Sequence, residues 1–180
     1  SKRATRIKAL RRSAGIDARK LAGPTASPIM TYGADCMGVA DTTLESMRKL
    51  AAHSISGEGG GKNPDWVLLR ADCDHGTLDP GFAAHTLPIG HWAKAVWERW
   101  LPMALLNDAF KLAQCRRQFM VKTSWNAVNG PISALLATLH RIGWTALSAT
   151  TFVDDQGQSH CLLTDPPVVI VEAVRSAVRR

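Results

Sequence analysis

Residues 131–164 read PISALLATLHRIGWTALSATTFVDDQGQSHCLLT, and two kinds of local structure follow one another inside them. Pro131 suits the first turn of a helix, because its missing N–H is one of the donors that a helix start leaves unused. Leu135, Leu139 and Ile142 recur at helical spacing, and Gly143 supplies the residue on which helices commonly stop. Further on, residues 146–153 and 158–164 flank Asp154-Asp155-Gln156-Gly157, a run of turn formers. Thr150, Thr151, Phe152 and Val153 favour an extended chain there. The stretch predicts a helix with both ends marked, followed by a β-hairpin. The fold class expected is mainly α: a helical domain with one β-hairpin near residues 146–164.

Working outward, Asp165 and Pro166 start a final helix that turns Val169, Ile170, Ala173 and Val174 inward. On the N-terminal side, a helix carries Trp92, Val96, Trp97 and Trp100. Pro102 starts a second turn or a kink, and the apolar pattern resumes with Leu105, Leu106, Ala109, Phe110, Leu112 and Ala113 to about Phe119. These helices are expected at the centre of the core. A short apolar segment spans Trp66 to Leu69, and the polar stretch 70–81 reads as loop. Asp41 or Thr42 can cap a further helix, with Glu45 placed three after Thr42 as a capping box requires, and Leu44, Met47, Leu50, Ala51 and Ile55 form its apolar face. Between these parts, the glycine-rich residues 57–64 mark a boundary or a mobile tip. Two segments are thereby predicted, a basic helical one over 1–56 and a Trp-rich one over 65–180.

Pro24 and Pro28 break residues 15–40 into a bent helix and a turn, and residues 2–14 form a helix with Ile7, Leu10 and Ala14 as a thin apolar line. The charge is concentrated there. Lys2, Arg3, Arg6, Lys8, Arg11, Arg12, Arg19 and Lys20 stand against Asp17 alone in the first twenty residues, which accounts for the whole net charge of +7. With hardly any acid at i,i+4 to pair them, these cations repel one another unless a polyanion is near, whereas a solvated helix face is the ordinary alternative.

The rest of the composition narrows the class. At 180 residues the chain can bury a sizeable core, and with one Tyr and four Phe beside six Trp, Ala and Leu supply much of its apolar content. No internal repeat is found. Cys36, Cys73, Cys115 and Cys161 have neither zinc-finger spacing nor disulfide-scaffold density, which points to a reducing, intracellular compartment, nuclear or cytoplasmic. Apolar runs fall short of the roughly 18–20 residues of a membrane span. Ser1 at the start, and Arg179-Arg180 closing an unfinished helical pattern, read as the ends of a piece cut from a longer polypeptide.

Several constellations invite a chemical reading. Phe152-Val153-Asp154-Asp155 spells the aromatic-x-Asp-Asp signature of two-metal polymerases, but the polar run 156–160 stands where an apolar strand is needed, so a plain hairpin turn is preferred. Ser56 to Asn63 resembles a phosphate-binding loop but lacks its first Gly and its final hydroxyl, and it follows a helix where a strand is required. Cys73, Asp74 and His75, or His160 and Cys161, are metal-ligand types too close in sequence to fill a tetrahedron. No nucleophile–base pair can be picked out by spacing, and a triad of distant residues stays open. Trp92, Trp97 and Trp100 could stack on nucleobases, but aromatics at helical spacing are assigned to the core.

The order of segments resembles the region downstream of the polymerase palm in reverse transcriptases of LINE-type, non-LTR retrotransposons, dinoflagellate-like copies in particular. The resemblance spans nearly the whole chain. It rests on the basic stretch at 6–12, the Pro-Ile-Met-Thr-Tyr-Gly-Ala-Asp-Cys-Met-Gly-Val run at 28–39 and the helix Leu44 to Ala52. Asp79-Pro80, Ile89-Gly90-His91-Trp92-Ala93-Lys94-Ala95-Val96-Trp97, Asn129-Gly130-Pro131-Ile132 and Arg141-Ile142-Gly143-Trp144 complete it. The resemblance implies a thumb or connection region that grips an RNA–DNA primer-template through Lys2, Arg3, Arg6, Lys8, Arg11 and Arg12. Nucleotide addition, with its Mg²⁺, would belong to an upstream palm of the same polypeptide. On this reading the segment itself is not an enzyme and holds no cofactor.

Overall fold

A computed structural model describes residues 29–56, 63–71, 78–118 and 125–180, together with Ala9 and Ser13, both helical. The remainder of the helix expected over 2–14, and the glycine-rich loop at 57–62, lie outside the described residues. The architecture is mainly α, with one small antiparallel sheet near the C-terminus. The chain divides into two compact units. The first comprises Ala40–Ala83 and the described residues before Gly33; the second comprises Gly33–Val39 and Ala84–Arg180.

In the first unit, α2 (Asp41–Ile55) follows α1 (Ala34–Met37, which belongs to the second) and precedes α3 (Pro64–Ala71). The expected capping box does not form. Asp41 already occupies the first helical position after an extended Ala40, with no side-chain cap on that residue, and Glu45 pairs instead with Lys49 one turn on. Thr42 therefore lies inside the helix, away from the extended geometry a capping residue adopts, and its carbonyl accepts the Ser46 hydroxyl. The short apolar segment at 66–69 is part of a helix, because Asn63 Oδ1 accepts the Asp65 N–H at 2.8 Å and Pro64 takes the first helical position. Ala51, Ala52 and Ile55 of α2 meet Leu68 of α3, flanked by Val67, Ala71 and Leu78. Arg48 closes this unit. Its guanidinium grips Asp79 with two N–H groups (2.8–3.1 Å) and reaches Asp65 at 2.7 Å, while Asp79 Oδ1 accepts the Gly81 N–H at 2.7 Å.

The second unit is built from the C-terminal part of α4 (Pro80–Trp97), then α5 (Met103–Gln118), a 3₁₀ turn (Trp125–Ala127), α6 (Pro131–Arg141), strands β1 (Thr145–Ala146), β2 (Thr151–Val153) and β3 (Ser159–Cys161), and α7 (Pro167–Arg179). Its core gathers Ile89, Trp92 and Val96 of α4, Leu106 and Phe110 of α5, Leu135 and Leu139 of α6, Phe152 and Leu162 of the sheet region, and Ile170 and Val174 of α7. The Trp92 indole N–H, buried with them, donates to the Ala149 carbonyl at 2.8 Å. Val169, expected inward, is exposed, because α7 starts at Pro167 and turns Ile170 and Val174 to the core.

Two helices here end in the same way. After α6, Gly143 takes φ +74°, its N–H donates to His140 O (3.2 Å), and Trp144 N–H reaches back to Leu139 O (2.8 Å). After α4, Arg99 takes φ +53°, with Arg99 N–H to Val96 O (3.3 Å) and Trp100 N–H to Ala95 O (3.1 Å). Both are Schellman turns, which satisfy carbonyls that a helix end would otherwise leave bare.

The expected hairpin is present as two strands of a three-stranded meander. β2 pairs with β3 through Phe152 opposite His160, and the loop closes with Gly157 at φ +84°. Residues 146–153 are not one strand. Thr150 N–H donates to the Ser148 hydroxyl, and Leu147 N–H to Thr151 O, so the chain reverses within this run. β1 consequently pairs antiparallel with β2, Ala146 opposite Phe152. None of the described helices is long and apolar enough to cross a membrane.

Candidate functional site

Lys2, Arg3, Arg6, Lys8, Arg11 and Arg12, the residues expected to touch nucleic acid, lie outside the described residues. Several cations that are described have acidic neighbours: Arg48 with Asp79 and Asp65, Lys49 with Glu45, Lys94 with Glu98, Arg175 with Glu172 and Arg180 with Asp155.

The Asp154-Asp155 pair is occupied by the fold. Asp154 Oδ1 accepts the backbone N–H groups of Gln156 (2.9 Å) and Gln158 (2.8 Å), and Oδ2 lies 3.3 Å from His160 Nε2. Desolvation pushes the Asp154 carboxyl upward, but the Gln158 and Gln156 amides and His160 outweigh it and hold the group below its ordinary value. Asp155 points elsewhere, into an ion pair with Arg180 that lowers its pKa. His160 and Cys161 are neighbours on β3, so their side chains leave on opposite faces; His160 stacks on Trp144, with ring centroids 5.0 Å apart, and Cys161 does not join it. Cys73, Asp74 and His75 lie outside the described residues, as do residues 57–62 of the phosphate-loop-like stretch.

Of the three tryptophans assigned to the core, only Trp92 is there. Trp97 is 43% exposed and Trp100 47%. The Schellman turn ends α4 at Trp97, so Trp100 sits past the helix, where helical spacing no longer sets its direction. Its indole N–H donates to Glu98 (2.7 Å), and its ring meets His91 edge-on at 5.1 Å.

One cluster of donors joins residues that spacing kept apart. Gly33 (φ +76°) and Gly38 (φ +63°) bracket the single turn of α1, which carries Asp35 and Cys36. Across from them stands His91 of α4, and among the described residues this is the one group of three His, Cys, Asp or Glu donors close enough for a metal, all ligand atoms within 4.8 Å of one another. His91 Nδ1 is 3.6 Å from Asp35 Oδ2, and Cys36 is a free thiol. The turn is fastened from behind. Gly38 presses so close to Trp125 that a Cβ there would lie 2.5 Å from the indole, Arg141 donates to Val39 O at 2.6 Å, and the same guanidinium sits 4.1 Å from the Trp125 ring centroid. Cys36 and His91 stand 55 positions apart in the sequence. The legible hint was the pair of glycines around Asp35-Cys36, which marks a turn.

Comparison of the chain with protein-family models, curated proteins and solved structures finds no match in any of the three.

Proposed function

We propose that the chain is a non-catalytic, nucleic-acid-binding thumb or connection segment of a retroelement RNA-directed DNA polymerase, working inside the cell, in the nucleus or cytoplasm. The observation that carries the reading is the placement of charge: eight cations and one acid in the first twenty residues, and an even balance in the remainder. A block of that sign and density attracts a phosphate backbone by counterion release. The acid-paired cations of the described helices add little to the field, and the densest run of cations, Lys2, Arg3, Arg6, Lys8, Arg11 and Arg12, supplies the contacts in this reading. The ordered segments resembling the reverse transcriptases of non-LTR elements name the polyanion as an RNA–DNA primer-template, with polymerisation and its Mg²⁺ left to an upstream palm. Binding of RNA–DNA duplex to the full chain, measured by fluorescence anisotropy, tests this. The chain with those six residues changed to Gln should bind more weakly; equal affinity would sink the proposal.

A second reading has its own observation. Trp97, Trp100, Leu101 and Leu105 follow closely around the α4–α5 turn, and all are more than two-fifths exposed. Apolar groups gathered at one turn suit a helical module that docks a protein. Salt separates the readings, because phosphate contacts weaken steeply with ionic strength and an apolar interface hardly responds.

A further inference from the structure

We infer that Asp35, Cys36 and His91 form a zinc-binding site with one coordination position left to solvent. Nothing in this inference depends on the nucleic-acid reading.

The donor set selects the ion. A thiolate and an imidazole suit zinc and neighbouring late transition metals, whereas Mg²⁺ and Ca²⁺ take oxygen. The spacing fits as well. Zn–N and Zn–O bonds of about 2.1 Å at a tetrahedral angle put nitrogen and oxygen about 3.4 Å apart, and His91 Nδ1 already stands 3.6 Å from Asp35 Oδ2. The Cys36 thiol supplies the third corner, all three ligand atoms lying within 4.8 Å of one another. Three protein ligands with an open fourth position is the arrangement that leaves a water on the metal, and the side chains of His91 and Asp35 are both partly exposed, so solvent reaches the face.

Pre-organisation is the second argument. A plain surface ion pair needs no scaffold, yet here the turn bearing two donors is bracketed by two glycines at positive φ, seated on Trp125, and held by the Arg141 hydrogen bond to Val39 O. The third donor sits on a long helix, edge-on to Trp100. Little ordering remains to oppose metal capture.

Binding deprotonates the Cys36 thiol, and its proton goes to solvent as the Zn–S bond forms. The reduced full chain titrated with Co²⁺ should therefore give a thiolate-to-cobalt charge-transfer band that saturates at one equivalent and is displaced by Zn²⁺. Cys36→Ser should abolish that band, and His91→Gln should weaken zinc, measured against a chromophoric chelator, by more than about tenfold, the loss expected even from an outer-shell change. Cys115→Ser, Cys161→Ser and Cys73→Ser should leave both readouts unchanged. Circular dichroism of each variant verifies that loss of metal is not loss of fold. A band that survives Cys36→Ser, zinc affinity indifferent to His91→Gln in a folded chain, or no stoichiometric binding at all would each overturn the site and leave an ordinary Asp35–His91 ion pair.

Discussion

Arg99 and Gly143 hold the same left-handed position at the ends of two helices, and only one of them has the residue suited to it. An L side chain in this region costs roughly 1–2 kcal/mol, which glycine avoids while giving back about 0.5–1 kcal/mol in unfolded-state entropy. Arg99→Gly should stabilise the protein by about 0.5 kcal/mol and raise the thermal midpoint by about 1–2 °C. Gly143→Ala, whose Cβ meets only ordinary contact with Asp155 at 3.6 Å, should destabilise by about 1 kcal/mol through its φ alone. Calorimetry on both variants checks the pair of signs. Asp154 supplies a pH signature. Its folded pKa is held below the ordinary carboxylate value, so its stabilisation is complete above that ordinary value and is lost as pH falls through the folded one. Asp154→Asn should cost about 1 kcal/mol near neutrality, with the gap to the native chain closing on acidification. Urea denaturation at a series of pH values would show a constant gap if the carboxylate charge were irrelevant.

At the scale of the element, legibility followed locality. Helix α6 could be read at both ends because Pro131 and Gly143 act through their own backbone, and the 154–157 turn because Asp154 and Gly157 do the same. Helix α4 was harder. Pro88 sits inside it and gives no N–H to the preceding turn, a penalty near 3 kcal/mol that burial of its ring in the core offsets in a way local rules do not see. Trp97 and Trp100 were misplaced for a related reason: a stop signal carried by Arg99, in place of the usual glycine, hid the end of the helix. Helix α3 was read only as an apolar segment, although Asn63-Pro64 spells its start. The beginning of α4 gives the element-scale prediction. Asp79 both accepts the Gly81 N–H and grips Arg48, so Asp79→Ala should destabilise the first unit by about 2–3 kcal/mol, from a lost cap and a half-buried cation left without its main partner. Asp79→Asn keeps an acceptor for Gly81 and should cost less. Hydrogen exchange in α2 and α3 reports the difference, and equal effects would remove the charge from the account.

For the molecule as a whole, charge was legible in composition and the candidate metal donors were not. Asp35, Cys36 and His91 acquire their relation only when α1 packs against α6 and the 3₁₀ turn, and no spacing rule encodes a meeting of residues so far apart. The charge asymmetry makes a quantitative prediction at this scale. If all six proposed cations touch phosphates, the slope of log affinity against log salt should flatten by about 5 in the six-Gln chain, at roughly 0.9 per contact on B-form duplex. A slope unchanged by the substitutions would assign the attraction to some other surface.

The hydrogen bond from Arg141 to Val39 O has a consequence for how the chain is made. The two residues are 102 apart, with all of Ala40–Ala83 between them. A ribosome adding about 5–20 residues per second needs about 5–20 s to cover that distance. Throughout this interval the nascent chain displays the Gly33–Val39 turn with its clamp not yet synthesised, and the first unit has its full length before the second can be closed. Translation therefore leaves the Gly33–Val39 turn unfastened until the whole of Ala40–Ala83 and the chain up to Arg141 have been made.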